Sequence, residues 1–258
     1  VASRTAPAPA PVPEAERIRS LDVLRGFAVL GILTMNIGSF SMPAATYQNP
    51  TVWGELTGLN GWVWRLTHLF ADLKFMAIFS MLFGAGMVLM AERREARGAS
   101  ARGLHRIRMF WLLVFGLIHA YALWYGDILV WYALTGLLLF RFHRRSPRTL
   151  VLLALLFWGV GFGLMAATGL SVPNWPEEAR VEMIEDLDPP PEALEREVAI
   201  YRGGRFDQME HRVPESLAMH TGVYAFWAFW RGGGLMLLGM ALFKLGVFSA
   251  RARVRTYG

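Results

Sequence analysis

The sequence predicts an all-α protein: a polytopic transmembrane helix bundle, about six spans in this chain, with a small helical outer loop. Three observations carry that expectation. Of the 258 residues 54% are hydrophobic and only 18% charged, against roughly a quarter charged in an ordinary soluble domain. The apolar residues arrive in six long blocks rather than scattered. The gaps between the blocks alternate between strongly basic and neutral or acidic, the pattern of a chain that crosses a bilayer repeatedly.

Residues 1–16 read as a solvated Pro/Ala-rich tail, with APAPAPVP from Ala6 to Pro13, and residues 17–258 as one helical membrane domain. The apolar blocks are Val23–Phe40, Leu69–Met90, Met109–Tyr125, Ile128–Phe140, Leu150–Leu170 and Tyr224–Phe248. A helix needs about 20 apolar residues to cross the hydrocarbon core. The first, second, fifth and sixth blocks meet that length. The third is at its lower limit, and the fourth is short and is read as a span from its flanks. Basic residues precede the first block and no A-x-A site follows it, so it reads as a span and not a cleaved leader. Between the fifth and sixth blocks, residues 173–220 form an outer loop or a cap. Pro176 opens one helix through Asp186, the run Pro189 to Pro191 breaks it, and Glu192–Tyr201 forms a second, with apolar residues at helical spacing that favour a cap.

Arg93, Arg94, Arg97, Arg102, Arg106 and Arg108 fill the gap after the second block, and Arg141, Arg144, Arg145 and Arg148 the gap after the fourth. Arg17 and Arg19 precede the first block, and Arg251, Arg253 and Arg255 follow the last. Residues 41–67 hold only Glu55 and Arg65 as charges, and residues 173–220 hold twelve acidic residues against five Arg. The positive-inside rule then puts both termini in the cytoplasm and 173–220 outside. The net charge of +6 is explained by topology and anionic lipid, so nucleic acid is not expected as a partner. The absence of cysteine excludes disulfides, thiolate metal sites and cysteine nucleophiles. The histidines are scattered, so no metal site is expected. No phosphate-binding loop, dinucleotide fingerprint or serine-nucleophile elbow is present.

Helix rise sorts the polar residues of the spans by depth. Eleven residues descend about 16 Å, about half of the core. Asn36 lies eleven residues from Arg25, His119 eleven from Arg108 and Ser80 thirteen from Arg93, which predicts a midplane layer. Lys74, Arg231, His68, Asp72 and Asp127 fall in an outer layer, and Asp22, Arg25 and Lys244 in an inner one. His119 reads either as an acid/base group, since ionisable residues at such depth are functional, or as a hydrogen-bonding contact between helices. Asn36 is structural or an oxyanion donor, and Ser80 a packing residue. Asp22 and Arg25 share a helix face and pair, behind an N-cap at Ser20, or Arg25 holds donor phosphates. Lys74 needs a partner, and Asp127 in the Gly126-Asp127 turn is the expected one. Arg231, before Gly232-Gly233-Gly234, either binds an anionic group beside a helix break or close-packed site, or snorkels to headgroups.

The run Arg17-Ile18-Arg19-Ser20-Leu21-Asp22-Val23-Leu24-Arg25-Gly26 resembles the opening of the YeiB-like bacterial membrane proteins. Lys74-Phe75 with Phe79 to Gly86, Phe115 to His119, Trp124 to Leu129 and Tyr132-Ala133 resemble its next helices, so the resemblance covers about residues 17–140. Leu235 to Gly246 adds a weaker match. The first helices of that family are in turn similar to heparan-α-glucosaminide N-acetyltransferase and, more distantly, to membrane acyltransferases that modify surface sugars. The resemblance therefore implies a multi-pass protein of the bacterial inner membrane that passes an acyl group from cytoplasmic acyl-CoA to a sugar or other small acceptor outside. On the depth reading, not the resemblance, His119 and Asn36 would be catalytic, and Arg25, Asp72, Lys74, Asp127 and Arg231 would bind donor or substrate. No covalently bound cofactor is implied, and assembly into a homo-oligomer is left open. Two departures accompany the resemblance. Family members continue past the position of Gly258, so further helices, or a short variant, are expected. The N-acetyltransferases carry an outer-loop histidine before the second helix. His68 stands closer to Ala71-Asp72-Leu73 than that pattern asks, and the catalytic role is not transferred to it. A transporter or channel, and a non-catalytic membrane component, remain as readings of the same polar layers.

Overall fold

In the computed structural model, residues 18–248 are described; the expected tail at 1–16, with Arg17, Arg251, Arg253 and Arg255, lies outside them. Among the described residues the chain is helical throughout, without a strand. Helix α1 spans Arg19–Ser41, α2 Gly58–Phe70, α3 Lys74–Ala96 and α4 Ala101–Ile118, the last extended by a π-helical turn over His119–Leu123. Helix α5 spans Leu129–Leu139 and α6 Pro147–Ser171. The cap is α7, Glu177–Leu187, α8, Pro191–Arg202, and α9, Arg205–Ala218. Helix α9 continues without a break through a π-helical segment, Met219–Ala228, into α10, Phe229–Lys244.

Among the described residues five helical stretches are long and apolar enough to cross a membrane by length and composition, α1, α2 with α3, α4, α6 and α9 with α10, and Leu129–Phe142 is a shorter apolar one. The apolar surface is distributed as in a protein dissolved in lipid. Only 11% of the apolar window of α1, and 11% of that of α6, is buried. Phe27, Leu30 and Ile37 on α1 and Leu152, Leu156 and Phe162 on α6 point outward. Water would not tolerate such continuous apolar faces, and hydrocarbon does.

The interior is built on α3 and α10, which cross with their backbones nearly touching. A Cβ on Gly84 would come 2.0 Å from the carbonyl oxygen of Met236, and one on Gly239 would come 1.9 Å from that of Met81. Small residues allow such approach, and dispersion between backbones replaces the hydrophobic effect that lipid does not supply. The glycines at 233 and 234 do not break α10. They seat Phe157 and Trp158 of α6, whose ring atoms would lie 2.8 and 2.3 Å from added Cβ atoms. One end of the bundle is basic: Arg144 pairs with Glu95 at 2.8 Å and Lys244 donates to the carbonyl of Arg145 at 2.9 Å.

Several expectations are corrected at the ends of elements. The second block is not one helix: α2 ends at Phe70, and α3 begins after Leu73, which stands at φ 58°. Ser20 does not cap α1; Ile18 occupies that position and Ser20 Oγ donates to the carbonyl of Phe248. Segment 173–220 holds a third helix, α9, because Gly203-Gly204 ends α8 and starts a new helix, with Asp207 accepting the Gly204 N–H at 2.9 Å. Asp22 and Arg25 do pair, at 3.5 Å.

Candidate functional site at the helical hairpin

Helices α4 and α5 form a hairpin with its tip at 124–128, and α5 with the turn after it is the shorter arm. The 14 residues Leu129–Phe142 rise about 21 Å, against a core of roughly 30 Å. Gly116 lets the two arms close, since a Cβ there would stand 2.7 Å from the backbone nitrogen of Val130. Gly126 makes room for the Trp124 ring, which would lie 2.3 Å from a Cβ.

Asp127 sits at this tip with its side chain fully buried. One carboxyl oxygen accepts the Val130 N–H at 2.8 Å, satisfying a donor at the start of α5. The other lies 2.9 Å from Nδ1 of His119. The carboxylate only accepts, so Nδ1 carries the proton and donates, and Nε2 keeps a free lone pair. The His119 side chain is 35% exposed, so the ring is not sealed in the interior. On the other side of the same carboxyl, Nε2 of His220 stands 3.9 Å away.

Helix α9 covers the tip with one polar face. Gln208, Arg212, Ser216 and His220 recur every fourth residue, the spacing of one helical stripe. The π turn frees carbonyls from the regular ladder, and this stripe supplies donors: Ser216 Oγ to Ala120 at 3.0 Å and Arg212 Nη1 to Ala122 at 2.9 Å. Trp131 returns a bond from its indole to the Met219 carbonyl at 3.2 Å.

The structure rearranges the residues singled out from the sequence. His119 and Asp127, expected in different layers, are in direct contact. Lys74 does not meet Asp127; it donates to the carbonyl of His68 at 2.9 Å. The reason is the break at 71–73: α2 ends there with open carbonyls, and the Lys74 ammonium reaches that of His68. Asp72 accepts from the Tyr47 phenol at 2.9 Å, and burial, reinforced by that bond, pushes the phenol up to about 12. Arg231 lies in the field of Asp72, Tyr132 and Tyr47 and over the Trp227 ring, 5.4 Å from its centroid. Ser80 bonds the Tyr132 hydroxyl at 2.6 Å. Asn36 is half-buried on α1. At the basic end, Arg25, Arg108 and His105 line a cavity of about 260 Å³ between α1, α3 and α4. Sequence reading missed His220, Arg212 and Ser216, although their four-residue spacing was visible once 205–220 is taken as helix.

Comparison with known proteins gives homologues without an assigned activity. The uncharacterised protein YeiB of Escherichia coli is 31% identical over 247 residues, 94% of this chain and 60% of that protein. The uncharacterised protein YxaH of Bacillus subtilis is 32% identical over 209 residues, 78% of this chain and 50% of that protein. An uncharacterised 39.9 kDa protein encoded beside an amylase in Bacillus acidopullulyticus is 36% identical over 134 residues. The chain thus spans between half and three fifths of the length of YeiB and YxaH. No family model and no solved structure matches it. The chain is a homologue of the YeiB-like proteins, as the motifs between Arg17 and Ala133 implied.

Proposed function

We propose that this homologue of the uncharacterised YeiB-like proteins is an acyltransferase of the bacterial inner membrane, with both termini cytoplasmic, in which His119 is the general base. The observation that carries the reading is the His119–Asp127 pair. A buried carboxyl fixes the tautomer and ring of a histidine whose Nε2 stays open. Histidine is the side chain whose ordinary pKa suits proton transfer near neutrality.

Nε2 of His119 takes the proton of an acceptor hydroxyl or amine. The freed lone pair attacks the thioester carbonyl of acyl-CoA, a carbon–oxygen or carbon–nitrogen bond forms, and the carbon–sulfur bond breaks. The imidazolium returns its proton to the departing thiolate. Asp127 stabilises the transient imidazolium without itself changing partners. Arg25 and Arg108 at the cavity of about 260 Å³ offer cations for the donor's phosphates, about eleven residues along α4 from His119.

A second reading has its own observation. His220 flanks the same carboxyl, so the three groups also suit a proton relay in a transporter. Binding and turnover of acetyl-CoA by the purified protein separates the two. Wild type should bind acetyl-CoA and release CoA thiol in the presence of acceptor. His119→Gln should keep donor binding and lose turnover by at least about 100-fold. A stable wild type that binds no acetyl-CoA would overturn the acyl-transfer reading.

A further inference from the structure

Beside the hairpin tip lies a second cavity, of about 410 Å³, enclosed by the end of α1, the tip itself and the cap helices α8 and α9. Its walls are aromatic and polar together: Phe40, Trp124 and Tyr201 face Arg212, Gln208 and Glu197. Arg212 is the unusual member. It is only 4% exposed, and the partners of its guanidinium are neutral, the Ala122 carbonyl through Nη1 and the Gln208 amide oxygen, 3.3 Å from Nη2. Its Nε is buried without a hydrogen-bond partner. Among the described residues the buried Trp124 indole nitrogen has none either, and the Tyr201 hydroxyl, beside the Arg212 guanidinium, has no acceptor for its own proton. Burial, then the nearby Glu197, push the Tyr201 phenol up, against the opposing Arg212 charge, so it is a protonated donor at neutral pH.

A buried guanidinium without a counter-ion is costly, and each unmade hydrogen bond adds to the cost. The Arg212 Nε and Trp124 indole donors, with the Tyr201 O–H, belong to residues lining one open volume and ask for an acceptor with several oxygens and negative charge. Glu197 lines the same cavity and accepts the Ala44 N–H, at 3.0 Å. Its carboxyl disfavours a ligand that is anionic all over and favours one with a hydrogen-bond donor at its far end.

We propose that this cavity is a binding site for a small anionic molecule, whose carboxylate or phosphoryl group sits against Arg212, Trp124 and Tyr201 and whose other end donates to Glu197. The anion is carried by a free solute or by a lipid headgroup; the recognising chemistry is the same. Trp124 also packs edge-on against His119, with centroids 6.2 Å apart, so an occupied cavity would touch the wall of the hairpin site. The inference concerns binding and stands whether or not acyl transfer occurs.

The test measures the thermal unfolding midpoint of the purified protein without any acyl donor. One arm titrates inorganic phosphate in neutral detergent at constant ionic strength. The other compares nanodiscs of phosphatidylglycerol with nanodiscs of phosphatidylcholine. A saturable rise with phosphate identifies a free-solute site; a rise only in phosphatidylglycerol identifies a headgroup site. Either response should be lost in Arg212→Gln and weakened about tenfold in apparent affinity in Tyr201→Phe, which removes one donor and leaves the charge. Tyr201→Phe decides the matter if Arg212→Gln does not fold. No response of wild type in either arm, or an unchanged response in Tyr201→Phe, would overturn the proposal.

Discussion

Replacing Asp127 with Asn tests the hairpin site at its centre. The side chain is fully buried, with one oxygen 2.9 Å from His119 and the other 2.8 Å from the Val130 nitrogen. Asparagine fits the same space but has one acceptor oxygen and one donor amide. It therefore satisfies only one of the two donors and turns its NH₂ toward the other. Hydrogen bonds to a charged group contribute about 1.5–3 kcal/mol each, and an orphaned buried donor costs about 1–3 kcal/mol. A shift of the imidazole proton from Nδ1 to Nε2 lets Nδ1 accept from the new amide and recovers part of this, so a loss of about 2–3 kcal/mol is expected. The assay is reversible unfolding in mixed micelles, followed by tryptophan fluorescence, on two double-mutant cycles. Asp127→Asn with His119→Gln should show a coupling of about 1–2 kcal/mol, because the two act on one bond. Asp127→Asn with Lys74→Met should be additive within about 0.5 kcal/mol, because Lys74 bonds His68 instead. Coupling to Lys74 and none to His119 would refute the placement of the hairpin tip and the catalytic reading that rests on it.

Two further outcomes are expected. Gly84→Ala or Gly239→Ala should each destabilise by about 1–3 kcal/mol, since the new Cβ would meet a backbone carbonyl at 2.0 or 1.9 Å; Gly159→Ala, with nothing within 4 Å of its Cβ, should not, and equal melting temperatures for all three would show that α3 and α10 do not cross there. Cysteines introduced at Ser100 and Glu192 into the cysteine-free chain should label from opposite faces of intact cells, Glu192 from outside, and labelling of both from outside would reject the proposed orientation.

The architecture was legible in the sequence wherever one physical requirement acts on a whole segment. A segment in hydrocarbon must satisfy its backbone internally and present apolar side chains, so composition and block length alone announce α1, α3, α4, α6 and α10. The pairing of Asp22 with Arg25 was equally legible, because helix geometry fixes neighbours three residues apart. The depth count placed His119 deep in α4, but assigned it and Asp127 to different layers. That count assumes regular α-helix up to a turn at the membrane surface. The chain instead enters a π turn at His119 and doubles back before α5 at Leu129, so the carboxyl arrives at the histidine. The expected Lys74 contact failed for a related reason: the break after Phe70 created open carbonyls that bind the ammonium locally. Sequence by itself thus determined which segments enter the bilayer, because that is set by the solvent each residue must face. Only the tertiary structure decided which buried polar groups meet. Side-chain direction depends on helix breaks, π turns and the glycine-guided crossings of distant segments, and the cap helix α9 reaches the Ala120 and Ala122 carbonyls from some 90 residues away.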